Sequence, residues 1–553
     1  MLRINEVKLK VVADKDDIIS KVAKILNVKK SDIKTLKLLK RSIDAREKMR
    51  SSKNKELIFS YNVVVGLISN NMEEDILSKN IKGVLRYDPK VFEPNLNIDK
   101  EKIKDIRPII VGFGPAGLFA AYIFTMNGIK PIIYERGDSI EERVKDVMDF
   151  LRGGDIKVNS NISFGEGGAG TFSDGKLYTN NKDKDGMGRF ILETFVKYGA
   201  SDTILYDAHP HIGTDKLRNI IISMRNDIVK LGAEIHFNTK IKFSDNDYDI
   251  DDKDENIKTI NIKDIRGDNP VLIAVGNSAR DTYRELVDSK FDLKSKTFAM
   301  GFRIAVPQTV IDNSQYGKIT DKEKKVLGPA IFKLVDHISD DRSMYTFCMC
   351  PGGYIVNSSS YKNMLSINGM SYNDRKARYA NTAIIENILI EDNDDPLCGV
   401  KIQEEIERKA YEMGKGKIPA ALYKDAINGN NDLMEKNIDI LPYPEEVFKG
   451  AVAYAPSIIN IYDDLKLSYS IKEDFINAME KFNEIIKGLI SDDTVIAGVE
   501  TRTSSTVSLE RDENYMCNVE GFYPCGEGLG HGGGIISAAI DGIKVATAIL
   551  KGK

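Results

Sequence analysis

The sequence predicts an α/β protein preceded by a small α+β module, and three observations carry that reading. Residues 1–95 run through apolar and amphipathic segments in the order β-α-β-β-α-β. From Arg107 onward apolar strands alternate with helical patterns, the signature of a parallel sheet. A glycine-rich turn, Val111 to Gly117, joins the first of those strands to the first of those helices. At 553 residues the chain needs more than one core, and roughly 100–200 residues per domain suggests three. The expected division is 1–95, a discontinuous unit of 105–300 plus 491–553, and an inserted substrate or cap unit of 301–490.

The leading module reads as strand Ile4–Val12, helix Asp17–Leu26, strand Thr35–Ile43, strand Glu56–Leu67, a short helix from Glu73 and strand Gly83–Tyr87. That order is ferredoxin-like. Asn95–Asp105 is polar and lacks apolar periodicity, which places a boundary there. Pro108–Val111 is then an apolar strand, Ala116–Met126 an apolar helix and Pro131–Tyr134 a second strand. The uncharged stretch Pro108–Asn127 resembles a membrane span in hydropathy alone, but Gly112, Gly114, Pro115 and Gly117 break it into strand, turn and helix. Further on come a helical pattern at Thr214–Leu231, a strand at Ala233–Ile241, an acidic hairpin or loop at Asn246–Asn256, and a buried strand Pro270–Val275 ended by Gly276. Gly301 to about Ile490 mixes strands and helices without a recognisable fingerprint.

The formal net charge of -4 argues against a chain-wide affinity for nucleic acid or membrane, so a charged partner would be met locally. Lys29–Lys55 is the local exception, with eleven Lys or Arg against three Asp or Glu. It reads either as a solvated basic face or as an RNA-binding one. The N-terminus MLRINEVKLK lacks the apolar core of a signal peptide, and the five cysteines are an odd, scattered set, so a reducing cytoplasm is expected. Cys348 and Cys350 stand in C-x-C spacing with no histidine pair nearby, so no metal site is expected.

The chemistry is concentrated in V-G-F-G-P-A-G at Val111. This is the G-x-G-x-x-G pattern in its meaningful context, after an apolar strand and before an apolar helix, which defines a Rossmann-type dinucleotide site. Gly112 permits the tight turn, Gly114 lets backbone approach a pyrophosphate, and Gly117 lets helix pack on strand. Pro115 and Ala116 open a helix whose first N–H groups face phosphate. Glu135, at the end of the second strand and followed by Arg136, is placed to accept from a ribose diol. Two other runs, Gly165–Gly170 and Gly528–Gly533, match the letters without the strand in frame. They read as ligand-covering loops, or as tight turns without a ligand. With no second fingerprint, a nicotinamide donor such as NADH or NADPH would have to visit rather than reside.

Longer strings carry a resemblance: F-G-E-G-G-A-G-T-F-S-D-G-K-L from Phe164, H-I-G-T-D-K-L from His211, V-G-N-S-A-R-D from Val275, F-C-M-C-P-G-G from Phe347, N-G-M-S from Asn368, E-T-R-T-S-S from Glu500 and G-F-Y-P-C-G-E-G from Gly521. Together with K-R-S-I-D-A-R at Lys40, these make the chain similar to the uncharacterised FAD-dependent dehydrogenases, which have a glutathione-reductase-type FAD domain. The resemblance implies FAD as cofactor, held by the fingerprint turn and by Gly167, Gly168, Gly170, Thr171, Ser173, Gly276, Gly526 and Glu527. It further implies that Gly533, Gly534 and Ile535 open a last helix facing the flavin, and that the backbone of Ile241 meets the adenine. The chain departs from the family where Ile-Ala-Val-Pro follows Arg303 in place of Ile-Glu-His-Pro, at His531 in place of Tyr and at Cys525 in place of Ala.

On this reading the chain is an oxidoreductase that transfers hydride to or from an organic small molecule. A flavoprotein that modifies RNA, or a flavin-bound regulator without catalysis, is the alternative, and a redox protein is a further possible donor. His531 is the acid/base candidate, or else a hydrogen-bonding spacer. Arg502 with Ser504 and Ser505 would bind a carboxylate or phosphate, unless Arg502 pairs with a neighbour such as Glu500. Cys350 and Gly352 lie in a candidate substrate-facing turn, with Cys350 either a redox thiol or a packed one.

Overall fold

The computed structural model describes the chain except residues 45–56, 104, 173–174, 178, 180–182, 247, 249–256, 390–394, 430–450 and 553. It divides into two compact units. One comprises Met1–Phe92, Lys176–Ile212 and Ile311–Ile331, and the other Glu93–Gly175, Gly213–Val310 and Phe332–Lys553.

The first unit is built on β1 (Leu2–Lys10), α1 (Lys15–Leu26), β2 (Ile33–Asp44), β3 (Ile58–Leu67), α2 (Asn70–Ser78) and β4 (Val84–Arg86). Asp14 caps α1 reciprocally with Asp17, and Asn27 in the left-handed region ends it. The four strands lie in the order β2-β3-β1-β4, the ferredoxin-like arrangement. Register puts Leu2, Ile4 and Val7 beside Val65, Val63 and Tyr61 on one buried face. The opposite face carries Arg3, Lys8, Lys10, Lys37 and Lys40 beside Ser60, Asn62 and Val64. Along the outer edge of β2, the Arg41 N–H donates to Tyr206 O and the Ala208 N–H to Arg41 O, so the 206–208 segment covers part of that edge.

The second unit begins with β5 (Ile109–Val111), α3 (Pro115–Met126), β6 (Ile132–Tyr134), α4 (Ile140–Leu151), α5 (Thr214–Lys230) and β7 (Glu234–His236). It continues through β8 (Thr239–Lys242), β9 (Lys258–Asn261), β10 (Val271–Ile273) and α6 (Arg280–Asp288). The predicted strand Ala233–Ile241 is therefore two. Asn238 takes a left-handed φ of 50 and breaks it, so that β7 joins the parallel sheet while β8 pairs with β9. The acidic stretch at Asn246–Asn256 lies largely outside the described residues.

Beyond α6 the chain forms β11 (Leu293–Ser295) and a mixed sheet of β12 (Phe298–Pro307), β13 (Val335–His337), β14 (Ser343–Cys350), β17 (Tyr379–Ile388), β18 (Ile418–Leu422), β19 (Val452–Tyr454) and β20 (Val495–Glu500). A hairpin of β15 (Tyr354–Asn357) and β16 (Ile367–Met370) adjoins it, and α7 (Cys398–Gly414) and α8 (Ile471–Ile485) pack on it. The chain then returns through β21 (Val507–Leu509) and β22 (Phe522–Pro524) to α9 (Gly534–Leu550).

The five-stranded parallel sheet runs β22-β10-β5-β6-β7, which is a Rossmann-type fold. From β5 the chain builds outward to β6 and β7, then comes back to lay β10 and β22 on the other side of β5. The order reverses between β5 and β10, and ligands of open α/β sheets bind outside the carboxyl ends of strands at such a point. No helix among the described residues is long and apolar enough to cross a membrane.

Candidate functional site

The turn after β5 is shaped by collisions a side chain would cause. A Cβ on Gly117 would stand 2.1 Å from Gly112 O, and one on Gly112, whose φ is +100, would stand 2.6 Å from Ala274 O. Gly114 differs, because a Cβ there would meet only Gly168 Cα, at 3.8 Å. Pro115 starts α3, where its missing N–H costs nothing. Ala116 is pressed from the far side by α9: a Cβ on Gly542 would reach 2.1 Å from Ala116 O, and one on Gly526 would reach 2.8 Å from Ala116 Cβ.

Glu135 is buried, and its carboxylate binds the turn itself. It accepts from Phe113 N–H at 2.8 Å, Gly137 N–H at 2.9 Å and Gly165 N–H at 3.1 Å. A carboxylate offers about four acceptor positions, so one remains for a ribose hydroxyl. Arg136 forms a forked pair with Asp281 and stacks its guanidinium 4.4 Å from the Phe164 ring centroid. Lys240 adds a second cation on Asp281 at 2.8 Å, and these two neighbours hold the Asp281 carboxyl well below its usual range despite burial. Ile241 follows directly, buried in β8.

The Gly165–Gly170 run is a loop laid against the fingerprint, since Gly167 N–H donates to Phe113 O at 2.8 Å. Gly167 has φ +81, and a Cβ on it would strike Thr171 Cγ2 at 2.4 Å. A Cβ on Gly168 would lie 3.2 Å from Gly114 Cα, and one on Gly170 would lie 3.0 Å from Ile535 Cγ1. The loop thus borders the openings of both α3 and α9. Arg143 of α4 holds it from behind, fully buried, and Thr171 Oγ1 accepts from Arg143 Nη1 at 2.8 Å. Ser173 lies outside the described residues.

The second glycine run does connect a strand of the same sheet, β22, to a helix, α9, although residues 525–533 intervene. Gly526 N–H donates to Asp541 at 2.8 Å. Glu527 is half-buried between Asn277 Nδ2 at 3.2 Å and Gly534 N–H at 3.1 Å, and partial desolvation raises its carboxyl above the ordinary value. A Cβ on Gly276, Gly533 or Gly534 would meet nothing within 4 Å. These three glycines face open space, unlike Gly112 and Gly117 of the fingerprint.

The candidate catalytic and substrate residues are dispersed. His531 Nε2 lies 2.8 Å from Leu509 O, and burial together with Arg511 lowers its pKa, so the ring is a neutral donor to backbone. Ser505 is buried with its hydroxyl 2.7 Å from Gly528 O, while Ser504 is half-exposed. Arg502 does not pair with Glu500. It forks onto Glu407 at 2.9 and 2.7 Å and reaches Ser360, while Arg280 forks onto the same carboxylate at 2.9 and 2.7 Å. The two guanidiniums hold Glu407 far below the usual carboxylate range. Glu500 instead pairs with the buried Arg303 at 2.8 and 2.7 Å. Cys350 is fully buried with its thiol 3.3 Å from Cys348 O, whereas Cys348 is half-buried. Gly352 sits in a packed turn where a Cβ would stand 1.9 Å from Arg375 O, and its N–H donates to Gln308 at 2.8 Å. Arg143, Glu166, Asn277 and Glu407, which brace the segments around the candidate site, are not marked by any sequence pattern, because each acts on backbone or on a partner distant in sequence. Among the described residues no cluster of His, Cys, Asp or Glu is arranged to hold a metal.

A Rossmann-type sheet with a dinucleotide fingerprint at its switch point defines a nucleotide-cofactor protein. Residues 297–503 match the family described as "FAD-dependent protein, C-terminal domain-like", and residues 1–51 match a domain of unknown function. The chain is 37% identical over 564 residues to an uncharacterized protein of Clostridium beijerinckii, covering 100% of this chain and 98% of that one, and it belongs to the same protein family. Among solved structures it is similar to CtdE in complex with FAD, at 12% identity, TM-score 0.27 and coverage of 80% and 84%. It is similar also to pqsL, a probable FAD-dependent monooxygenase from Pseudomonas aeruginosa, at 10% identity, TM-score 0.31 and coverage of 80% and 85%. A likeness at those TM-scores extends to no particular activity.

FAD is the cofactor, and the residues fit it. The open faces of Gly276, Gly533 and Gly534 leave room for a group at the carboxyl edge of the sheet. The first N–H groups of α3, which have no intrahelical acceptor, can meet its pyrophosphate.

Proposed function

We propose that the chain is a FAD-dependent oxidoreductase of the dehydrogenase type, acting on an organic small molecule in the cytoplasm, with NADH, NADPH or a redox protein as the visiting electron partner. The observation that carries this reading is the pairing, at one switch point, of a collision-shaped fingerprint with glycines that face open space. When bound, FAD supplies the hydride-accepting and hydride-donating chemistry. The chain's residues do the rest. The α3 N-terminus and the Gly165–Gly170 loop would hold the pyrophosphate, and the spare acceptor position on Glu135 would take a ribose hydroxyl. Gly533 and Gly534 would let the opening of α9 approach the flavin with backbone N–H groups that favour negative charge. Glu527, half-buried with a raised pKa and set between Asn277 and Gly534, is better placed than His531 to hold a proton there.

The test is anaerobic titration of the purified, FAD-loaded protein with NADH and NADPH. Bleaching of the visible flavin bands by either supports the dehydrogenase reading, and persistence of the bands with both, as well as with a reduced ferredoxin-type donor, would refute it.

A second reading has one observation in its favour. Strand register gathers Arg3, Lys8, Lys10, Lys37 and Lys40 on one face of the ferredoxin-like sheet, while Phe59 and Tyr61 lie on the other. Such a face suits phosphate contacts without base stacking, and RNA bound there would be released steeply as salt rises.

A further inference from the structure

Arg143 occupies an unusual position for a guanidinium. It is fully buried, and its six hydrogen-bond contacts go to Asn161 O, Ile162 O, Gly165 O, Glu166 O, Gly168 O and Thr171 Oγ1, at 2.7–3.2 Å. None goes to a carboxylate. The three carboxylates that act on it electrostatically are committed elsewhere: Glu135 to the N–H groups of Phe113, Gly137 and Gly165, Glu166 to Ile140 N–H and Arg225, and Asp146 to Lys157 and Ser160. Burial lowers its pKa to about 9, which leaves it charged at neutral pH.

The carbonyls that Arg143 draws inward fix where the opposite ends of those peptides point. In a trans peptide the C=O of one residue and the N–H of the next face opposite ways. The N–H groups of Glu166 and Gly167, paired with the inward carbonyls of Gly165 and Glu166, are used by Asp138 O and Phe113 O. The N–H of Ala169, paired with the inward Gly168 carbonyl, has no acceptor among the described residues and belongs to an exposed residue. The Gly168–Ala169 peptide is also where the loop comes against Gly114, the fingerprint glycine with space around it.

We propose that Arg143 is a positioning residue for a diphosphate. It turns the Gly168–Ala169 peptide so that the N–H faces the fingerprint, and it places a buried positive charge, hydrogen-bonded to no carboxylate, behind that peptide. The ligand class is a nucleoside diphosphate moiety, the part that FAD shares with ADP, so the inference rests on the nucleotide-cofactor reading but not on flavin chemistry. A dianion in front of the loop balances the cation behind it, and the affinity so gained belongs to the diphosphate alone.

The experiment is calorimetric titration of the flavin-free full chain with ADP, with adenosine and with FAD. Arg143→Gln is expected to weaken ADP and FAD by about tenfold or more, the scale of a lost hydrogen bond to a charged group, and to leave adenosine within about twofold. Arg143→Lys keeps the charge and is expected to fall between. Ala169→Pro removes that N–H at the first position of a short helical turn, where proline is tolerated, and is expected to weaken ADP by about tenfold while leaving adenosine within about twofold. Equal weakening of adenosine and ADP in Arg143→Gln would show a general loop collapse and overturn the proposal, as would ADP affinity unchanged in Ala169→Pro. A wild-type chain that binds ADP but not FAD would refute the flavin reading while the role of Arg143 is still read from ADP.

Discussion

The glycines of the two halves of the site do opposite things. Around the β5–α3 turn they are where they are because something is in the way: Gly112, Gly117 and Gly542 would each drive a Cβ into a backbone oxygen at 2.1–2.6 Å. Beyond β10 and β22, Gly276, Gly533 and Gly534 would place a Cβ in open space. The first set closes the fold and the second keeps a volume free. Glycine in a motif therefore has two separate meanings, a neighbour too close for a side chain or a surface left open. The charged groups divide the same way. Glu407 is consumed by two guanidiniums and by the Thr501 hydroxyl, which donates to it at 2.6 Å, whereas Glu135 retains an acceptor position and Glu527 a raised pKa.

That division can be broken from the closed side first. Glu407→Ala leaves Arg280 and Arg502 buried without their carboxylate, and the expected loss is about 3–5 kcal/mol of stability, read by urea denaturation. Retention of wild-type stability would show that the pair is solvated. Gly117→Ala forces a Cβ onto Gly112 O, and the expected loss is about 1–3 kcal/mol, with the parallel sheet destabilised whether or not FAD is present.

The open side predicts the reverse pattern. Gly276→Ala and Gly533→Ala have no positive φ and no neighbour to strike, so each is expected to change stability by about 1 kcal/mol or less. Each methyl intrudes on the free volume, and FAD affinity is expected to fall by about tenfold, measured by flavin fluorescence. A variant that binds FAD normally would remove its glycine from the site.

The smallest effect concerns pH. Burial raises the carboxyls of Glu166, Glu285 and Glu386 to about 7 in the folded chain, against roughly 4.3 unfolded. A raised carboxyl binds its proton more tightly when folded, so its contribution is present below the unfolded value and is lost as pH rises through about 7. Asp281 and Glu407 are shifted the other way and act only in strong acid. The melting temperature of the flavin-free chain is expected to fall by a few degrees between pH 5 and pH 7.5. A rise across that window would contradict the burial of these groups.

Much of this was legible before the fold was seen, for physical reasons. The strand and helix flanking Val111–Gly117 have distinct periodicities, and the fingerprint residues act within a few positions of one another. Asn238 was not legible, because in a stretch where polar and apolar residues alternate a left-handed asparagine looks like one more outward-facing strand residue. Nor was Arg143, which looks like an ordinary surface charge on an amphipathic helix until a loop some twenty residues later wraps it. The partner of Arg502 was misplaced for the same reason: the near neighbour Glu500 belongs to Arg303, and the true partner lies in α7.

The measurement that bears most directly on the central claim is the visible spectrum of the purified chain, followed by chromatography of whatever it releases on denaturation. The account predicts a yellow protein that releases FAD, or a colourless one that becomes yellow and quenches flavin fluorescence when FAD is added. A chain that takes up no FAD under either condition would contradict it.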